Sequence, residues 1–240
     1  MRVRFLSAGD RALVVEFGDR ADRALSERVL RLDAVLRANA LAGLVETVPT
    51  FRSLMVYYDP LATSGAELKQ AISGLLDRQD SHHTDKTLWR VPVCYEGEHA
   101  PDLAEVARLT HLTTADVVAL HGGTRFHVYM LGFLPGFPYM GDLPKELALP
   151  RRADPRLRVP AGSISIATSL TAIYPYESPG GWHLIGATPI RLFDPERARP
   201  ALLAPGDAVI FNAIGAAEFA SIARAVEKGC YALESTRLTE

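Results

Sequence analysis

The sequence predicts an α+β chain in two parts: a small amino-terminal α/β sandwich domain over residues 1–80, a polar linker at 81–87, and a β-rich barrel or sandwich over 88–240. Three observations lead there. Residues 79–87, QDSHHTDKT, form an unbroken polar run between two strongly patterned halves. Before it, apolar residues recur at both strand and helix spacing, whereas from Thr124 onward short β-like runs alternate with Gly and Pro clusters. A length of 240 residues with 48% hydrophobic and 22% charged side chains suffices for one large or two small cores.

The elements follow in order. Val3 to Phe17 reads as two extended segments around a Gly9-Asp10 turn, the second alternating through Leu13, Val15 and Phe17. Leu25, Val29, Leu32 and Leu36 share one helical face, Thr50 to Tyr58 reads as a strand, and Leu68, Ile72 and Leu75 mark a second helix. Leu44 to Val48 has no clear period and takes no assignment. Two helices covering one face of a small sheet result. Past the linker come a strand at Leu88 to Tyr95 and helices at Pro101 to Leu109 and Ala115 to His121, the latter capped by Thr114 and ended by Gly122. Further strands are expected at Phe126 to Leu131, Ser163 to Ala167, Trp182 to Ile185, Ile190 to Phe193 and Ala208 to Phe211, a pattern suited to a barrel or sandwich.

Composition excludes several functions. With 26 basic against 28 acidic residues there is no electrostatic reason to bind nucleic acid or an anionic membrane. The charged opening MRVRFLSAGDRALVVEFGDR lacks a signal-peptide core, no run approaches a membrane span, and a cytoplasmic location is expected. Cys94 and Cys230, far apart, read as two buried reduced thiols. No phosphate loop, GxGxxG, HExxH or GxSxG occurs. The histidines, His82 and His83 of the linker included, show no metal-ligand spacing, so no metal is expected.

Two segments ask for more than turn chemistry. Leu131 to Leu143, LGFLPGFPYMGDL, packs three aromatics, three glycines and two prolines into one stretch. Proline fixes φ and glycine permits close backbone approach, so the segment holds a rigid shape that displays Phe133, Phe137 and Tyr139. Tyr174 to Gly186, YPYESPGGWHLIG, repeats that character, and its Gly180-Gly181 pair could offer backbone N–H groups to a carboxylate or oxyanion. A tight turn with apolar plugs closing a barrel end is the competing reading.

These segments, with VPVCYEGEHAPDL from Val91, HGGTRFHVYMLGFLPGFPYMGDLP from His121, LPRRADPRLRVPAGS from Leu149, YPYESPGGWHLIGATPIRLFDP and LLAPGDAVIF, resemble the carboxyltransferase-domain family that includes the smaller 5-oxoprolinase subunit, the Kip kinase inhibitor and allophanate-hydrolase-type first subunits. The resemblance implies a small α/β domain joined to a cyclophilin-like β-barrel. It also implies a non-autonomous subunit, working with a larger partner and a third subunit in the ATP-driven opening of 5-oxo-L-proline to L-glutamate, with ATP used through the complex. Carried onto this chain, the motif puts His121 and Tyr129 near a cleft. Phe133, Pro135, Gly136, Phe137 and Tyr139 would form its wall, with Tyr174, Ser178, Gly180, Gly181, Trp182 and His183 opposite. A regulatory protein inhibiting a sensor histidine kinase is the alternative, and a proline isomerase rests on fold analogy alone.

His121 and His183 are the candidates for proton transfer, since imidazole titrates near neutrality. Each has a plainer reading: His121 at a helix end can bond the last carbonyls, and His183 alternates with Trp182 and Leu184 as a packed strand residue. Arg151, Arg152, Arg156 and Arg158 read as a solvated basic run, or alternatively as a clamp for a substrate carboxylate. The chain departs from the family pattern at Ser165, Thr168, Ser169 and Ala172, where glycine is expected, at Leu170 in place of glutamine, and at Ala187 in place of arginine. Such changes narrow a cleft and remove polar recognition, so an altered substrate or lost activity is expected.

Overall fold

The computed structural model describes residues 3–39, 41–76 and 86–238. The chain separates into two compact units, Met1–Asp85 and Lys86–Glu240. Most of the expected linker, with His82 and His83, lies outside the described residues; its last two residues, Lys86 and Thr87, open a strand instead.

In the first unit β1 (Arg4–Ser7), β2 (Ala12–Glu16), α1 (Arg23–Ala38), β3 (Leu44–Pro49), β4 (Ser53–Tyr58) and α2 (Gly65–Leu76) follow one another. The strands form an antiparallel sheet in the order β1-β2-β4-β3. Asp22 starts α1 by accepting the amides of Ala24 at 2.9 Å and Leu25 at 3.3 Å. Ser64 and Glu67 exchange bonds at the start of α2, the Ser64 amide reaching the carboxylate at 2.8 Å and the Glu67 amide reaching the hydroxyl at 3.2 Å. Leu13, Val15 and Phe17 of β2 and Leu54 and Val56 of β4 meet Val29, Leu32 and Leu36 of α1 and Leu68 and Ile72 of α2 in one core. The unassigned stretch is β3, an edge strand with a bulge and an exposed Val45, which hides the alternation that would have announced it.

The second unit runs β5 (Lys86–Cys94), α3 (Leu103–Thr110), α4 (Thr114–Gly122), β6 (Phe126–Leu131), β7 (Pro138–Gly141), β8 (Arg156–Val159), β9 (Ser163–Ala167), β10 (Leu170–Ile173), β11 (Ser178–Gly180), β12 (His183–Ala187), β13 (Ala208–Ile214), α5 (Ala216–Glu227) and β14 (Ser235–Leu238). Strands β12-β9-β10-β7-β6-β13-β5 close on themselves through β12–β5 pairing, making a seven-stranded barrel, while β14 adds to the outer end of β5. The barrel interior holds Val91, Val93, Phe126, Val128, Met140, Ile164, Ile166, Ile173, Val209 and Phe211. Because strand side chains alternate, Ala167, Ala172, Tyr174 and Tyr139 point to the opposite, outer face. There the β8–β11 ribbon brings Val159 against them.

Several expectations need correction. The cap of α4 is Thr113: its hydroxyl accepts the Asp116 amide at 3.1 Å and the Asp116 carboxylate takes the Thr113 amide at 3.0 Å, so Thr114 is already helical. Ile190 to Phe193 forms no strand, only a single bridge between Phe193 and Ala201. Helix α5 lies in the stretch after Thr124, where only short strands are expected from the sequence. Cys94 is buried, but Cys230 is exposed. Among the described residues no helix is long and apolar enough to cross a membrane.

Candidate functional site

The two aromatic segments meet. Phe137 contacts Tyr174 with ring centroids 5.1 Å apart and Trp182 at 6.3 Å, and Tyr139 lies 6.1 Å from Trp182. Edge-to-face geometry prevails, the arrangement that aromatic quadrupoles favour. Phe133 continues the series, 5.4 Å from Phe137, yet it is 62% exposed and held at φ 68°. An exposed aromatic in the left-handed region is costly and persists where its surroundings impose it. The imposing feature is the next turn: the Phe137 amide bonds the Leu134 carbonyl at 3.0 Å across Pro135 and Gly136, with Gly136 at φ 76°. A side chain at Gly136 would also strike Phe193, 2.8 Å from its Cβ position. Proline then glycine is what such a turn demands.

Gly180 answers to packing as well. A Cβ there would fall 2.3 Å from the Tyr174 hydroxyl oxygen, so the glycine lets Tyr174 lie under the ribbon. The Gly181 carbonyl accepts the Arg152 amide at 2.8 Å, and Ser178 is buried in β11. Tyr129 lies outside this cluster: it packs 4.7 Å from His127 and over Gly141, whose Cβ position is 2.3 Å from the Tyr129 ring.

The basic run divides into three tasks. Asp102, only 4% exposed, accepts Arg156 at 2.6 and 2.9 Å, Arg152 at 3.1 Å and the Leu184 amide at 2.7 Å. The Leu184 carbonyl in turn receives the Asp102 amide at 2.9 Å. Arg152 and Arg156 are thus structural anchors that fix β12, which opens at His183 directly after Trp182, and this corrects the reading of the run as solvated surface. Arg158 does fit that reading, pairing with exposed Glu177 at 2.9 Å. Arg151 is exposed and makes no ion pair among the described residues. It sits close enough to Tyr139 and Tyr174 to counter the rise that burial imposes on both phenols, Tyr174 being pushed up to about 12.

The two histidines separate. His121 is fully enclosed in the barrel, stacked 4.6 Å from Phe211. Its hydrogen bonds fix the tautomer: the Thr171 hydroxyl donates to the Ser165 carbonyl at 3.0 Å, so it accepts Nε2–H of His121 at 3.0 Å, and Nδ1 accepts the Tyr95 hydroxyl at 2.8 Å. Both nitrogens are committed, and burial pushes the pKa down to about 3. The geometry gives His121 an internal strut's task rather than access to the aromatic cluster. His183 adjoins Trp182 and is 5% exposed; its Nε2–H donates to the Pro150 carbonyl at 3.0 Å, leaving Nδ1 buried without a partner. The Arg152 Nε is likewise orphaned. The Asp102 anchor, fifty residues from Arg152 in sequence, is the functional feature that sequence reasoning missed.

Residues 3–203 match the family model described as carboxyltransferase domain, subdomain C and D. The chain belongs to this family. Within it, the chain is 36% identical over 231 residues to a 5-oxoprolinase subunit of Bacillus subtilis, covering 91% of this chain and 96% of the relative. Against the corresponding 5-oxoprolinase subunit of Escherichia coli O157:H7 the identity is 38% over 210 residues, 88% of this chain and 95% of the relative. The solved structure of TTHA0988 superposes with a TM-score of 0.76 at 38% identity, over 85% of this chain and 40% of that one, so this chain spans about two fifths of its length. The Kluyveromyces lactis urea amidolyase gives a TM-score of 0.79 at 21% identity over 98% of this chain and 16% of that one, a likeness of fold, and the barrel is cyclophilin-like.

Two of the departures from the family pattern fall at this cluster, whereas Ala187 lies at the other end of β12, paired with Cys94 and Ser163. Ala172 and Leu170 pack directly into it, and Ser165 lies beneath, fully buried. Thr168 occupies the β9–β10 turn at φ 54°, a conformation glycine adopts freely and a β-branched residue does not. Thr168→Gly is therefore expected to raise stability by up to about 1 kcal/mol, read as an upward shift of the thermal midpoint.

Proposed function

We propose that this chain is the smaller subunit of a heteromeric ATP-dependent amidohydrolase, and that with a larger partner and a third subunit it opens 5-oxo-L-proline to L-glutamate. Near end-to-end similarity to proteins named as a 5-oxoprolinase subunit supports the subunit role. The observation that carries the site is the convergence of Phe137, Tyr139, Tyr174 and Trp182, from two separate segments, beside Arg151. Phe137, Tyr174 and Trp182 are buried and form the base, on which half-buried Tyr139 and exposed Phe133 offer aromatic surface for the methylene side of a small lactam ring, while Arg151 supplies a cation for its carboxylate. Both tyrosines, their pKa values raised by burial, stay protonated at neutral pH, Tyr174 as a buried part of the wall and Tyr139 half-buried at its edge. We assign proton transfer to His183, whose buried Nδ1 has no hydrogen-bond partner among the described residues, and a positioning role to His121. ATP is a substrate of the whole complex.

Leu170 and Ala172, in place of polar or glycine positions, make the floor more apolar than the family pattern and favour a lactam with added apolar bulk as a competing substrate. The test is ATP hydrolysis by the complex assembled with both partner subunits, with and without 5-oxoproline. Stimulated turnover is expected, and Arg151→Ala should raise the KM for 5-oxoproline about tenfold with kcat little changed, the loss of one charge-assisted bond. A stable complex without stimulation would overturn the substrate. Failure to form any complex would favour the kinase-binding alternative, for which exposed Phe133 is the natural anchor.

A further inference from the structure

The first unit contains a cavity of about 520 Å³ between α1, α2 and edge strand β1, within the range of small-molecule sites. Its floor is apolar, with Phe5, Phe17 and Val35 among the lining residues. Three cations line it as well: Arg28 and Arg31, one turn apart on α1, and Lys69 on α2. Two are held over the floor, the Arg28 guanidinium carbon 4.9 Å from the Phe17 ring centre and Lys69 Nζ 5.7 Å from that of Phe5. Among the described residues no acidic side chain lines the cavity, and none pairs with these three cations. Elsewhere in the unit, by contrast, Arg4 and Arg52 share Glu16, and Arg37 is paired with Asp33.

Three cations around one cavity with an apolar floor, and no acidic side chain among its described lining residues, give it a positive potential over apolar surface. A ligand that complements both carries a negative head and an apolar body. We propose that the amino-terminal domain binds an amphiphilic anion in this cavity, an alkyl or aryl chain ending in a carboxylate or phosphate. The head lies between Arg28, Arg31 and Lys69, and the body lies on Phe5 and Phe17. An arginine pair favours planar, bidentate oxyanions, and the open mouth lets the lysine swing onto the same group. The site belongs to a different unit from the aromatic cluster and stands whatever the complex hydrolyses.

The test uses the full chain, isotope-labelled for amide NMR and titrated with octanoate and, separately, with octyl phosphate; octylamine and octanol serve as controls with the same tail. Saturable shifts confined to residues around Phe5, Arg28, Arg31, Lys69 and Ser73 are expected for at least one anion. Which of the two binds tighter identifies the head group. Arg31→Gln and Lys69→Gln, both at exposed positions that leave the fold intact, should each weaken that binding about tenfold, as loss of a charge-assisted contact does. Binding of octylamine or octanol as tight as the anions, shifts outside the cavity, indifference to both substitutions, or shifts produced only by adding the larger partner would each overturn the proposal.

Discussion

Asp102→Ala is expected to destabilise the carboxy-terminal unit by about 3 kcal/mol, the lower end of the cost of leaving buried charges without their partner. Asp102 is enclosed, while Arg152 and Arg156 keep about a quarter of their side-chain surface in water, at 28% and 26%. That partial hydration softens the penalty without removing it. The Leu184 amide also loses its acceptor, and with it one of the two bonds joining the start of α3 to β12. For a unit of this size the thermal midpoint should fall by about 10 °C. Trp89 and Trp182 are the only tryptophans in the sequence and both belong to this unit, so their fluorescence reports its unfolding directly. Arg158→Ala, in the same basic run, removes only the exposed pair with Glu177 and should shift stability by less than about 0.5 kcal/mol. Equal effects of the two substitutions would deny Asp102 its anchoring role.

The same run shows where sequence reasoning stops. Four arginines within eight residues look alike as text, and what separates them is a carboxylate about fifty positions upstream that no local pattern connects to them. The strongly periodic elements were legible: the α1 face through Val29, Leu32 and Leu36, the alternation of β2, and the strands at β6, β9 and β13. Strands β7, β8, β10 and β11, three or four residues long, are too short for a period to register. Helix α5 did carry a signal, Phe219, Ile222 and Val226 at spacings of three and four, but only Ile222 is buried and Gly215 precedes it with no side-chain cap.

The aromatic segments were legible as a rigid display, and their convergence follows from the neighbouring order of β7, β10, β9 and β12 rather than from either segment alone. Glycine was harder to read. Gly180 looked like a donor of backbone N–H groups, yet its side-chain space is taken by the Tyr174 hydroxyl. A glycine can expose its own amide or yield room to a neighbour, and only the neighbour's position tells the two apart.

His121 sets the remaining expectation, a loss of stability in mild acid. Its folded pKa of about 3 lies below the ordinary imidazole value of 6.5, so between those limits the unfolded chain binds a proton that the folded chain refuses. Stability is therefore complete above pH 6.5 and falls as the pH drops towards 3, at up to about 1.4 kcal/mol per pH unit. Between pH 6.5 and 4.5 this amounts to about 2–3 kcal/mol, measured by urea unfolding followed through tryptophan fluorescence. Tyr95, the partner of Nδ1, is raised by burial and contributes no charge in that window. Other groups titrate as well, so the quantity that decides is the difference from His121→Gln. Its amide can give and take the same two bonds but has no proton to gain, and its stability curve should be flatter by about one proton's slope. Parallel curves for the two proteins would mean that His121 takes up its proton inside the folded barrel, and that the Tyr95–His121–Thr171 line can open to a proton after all.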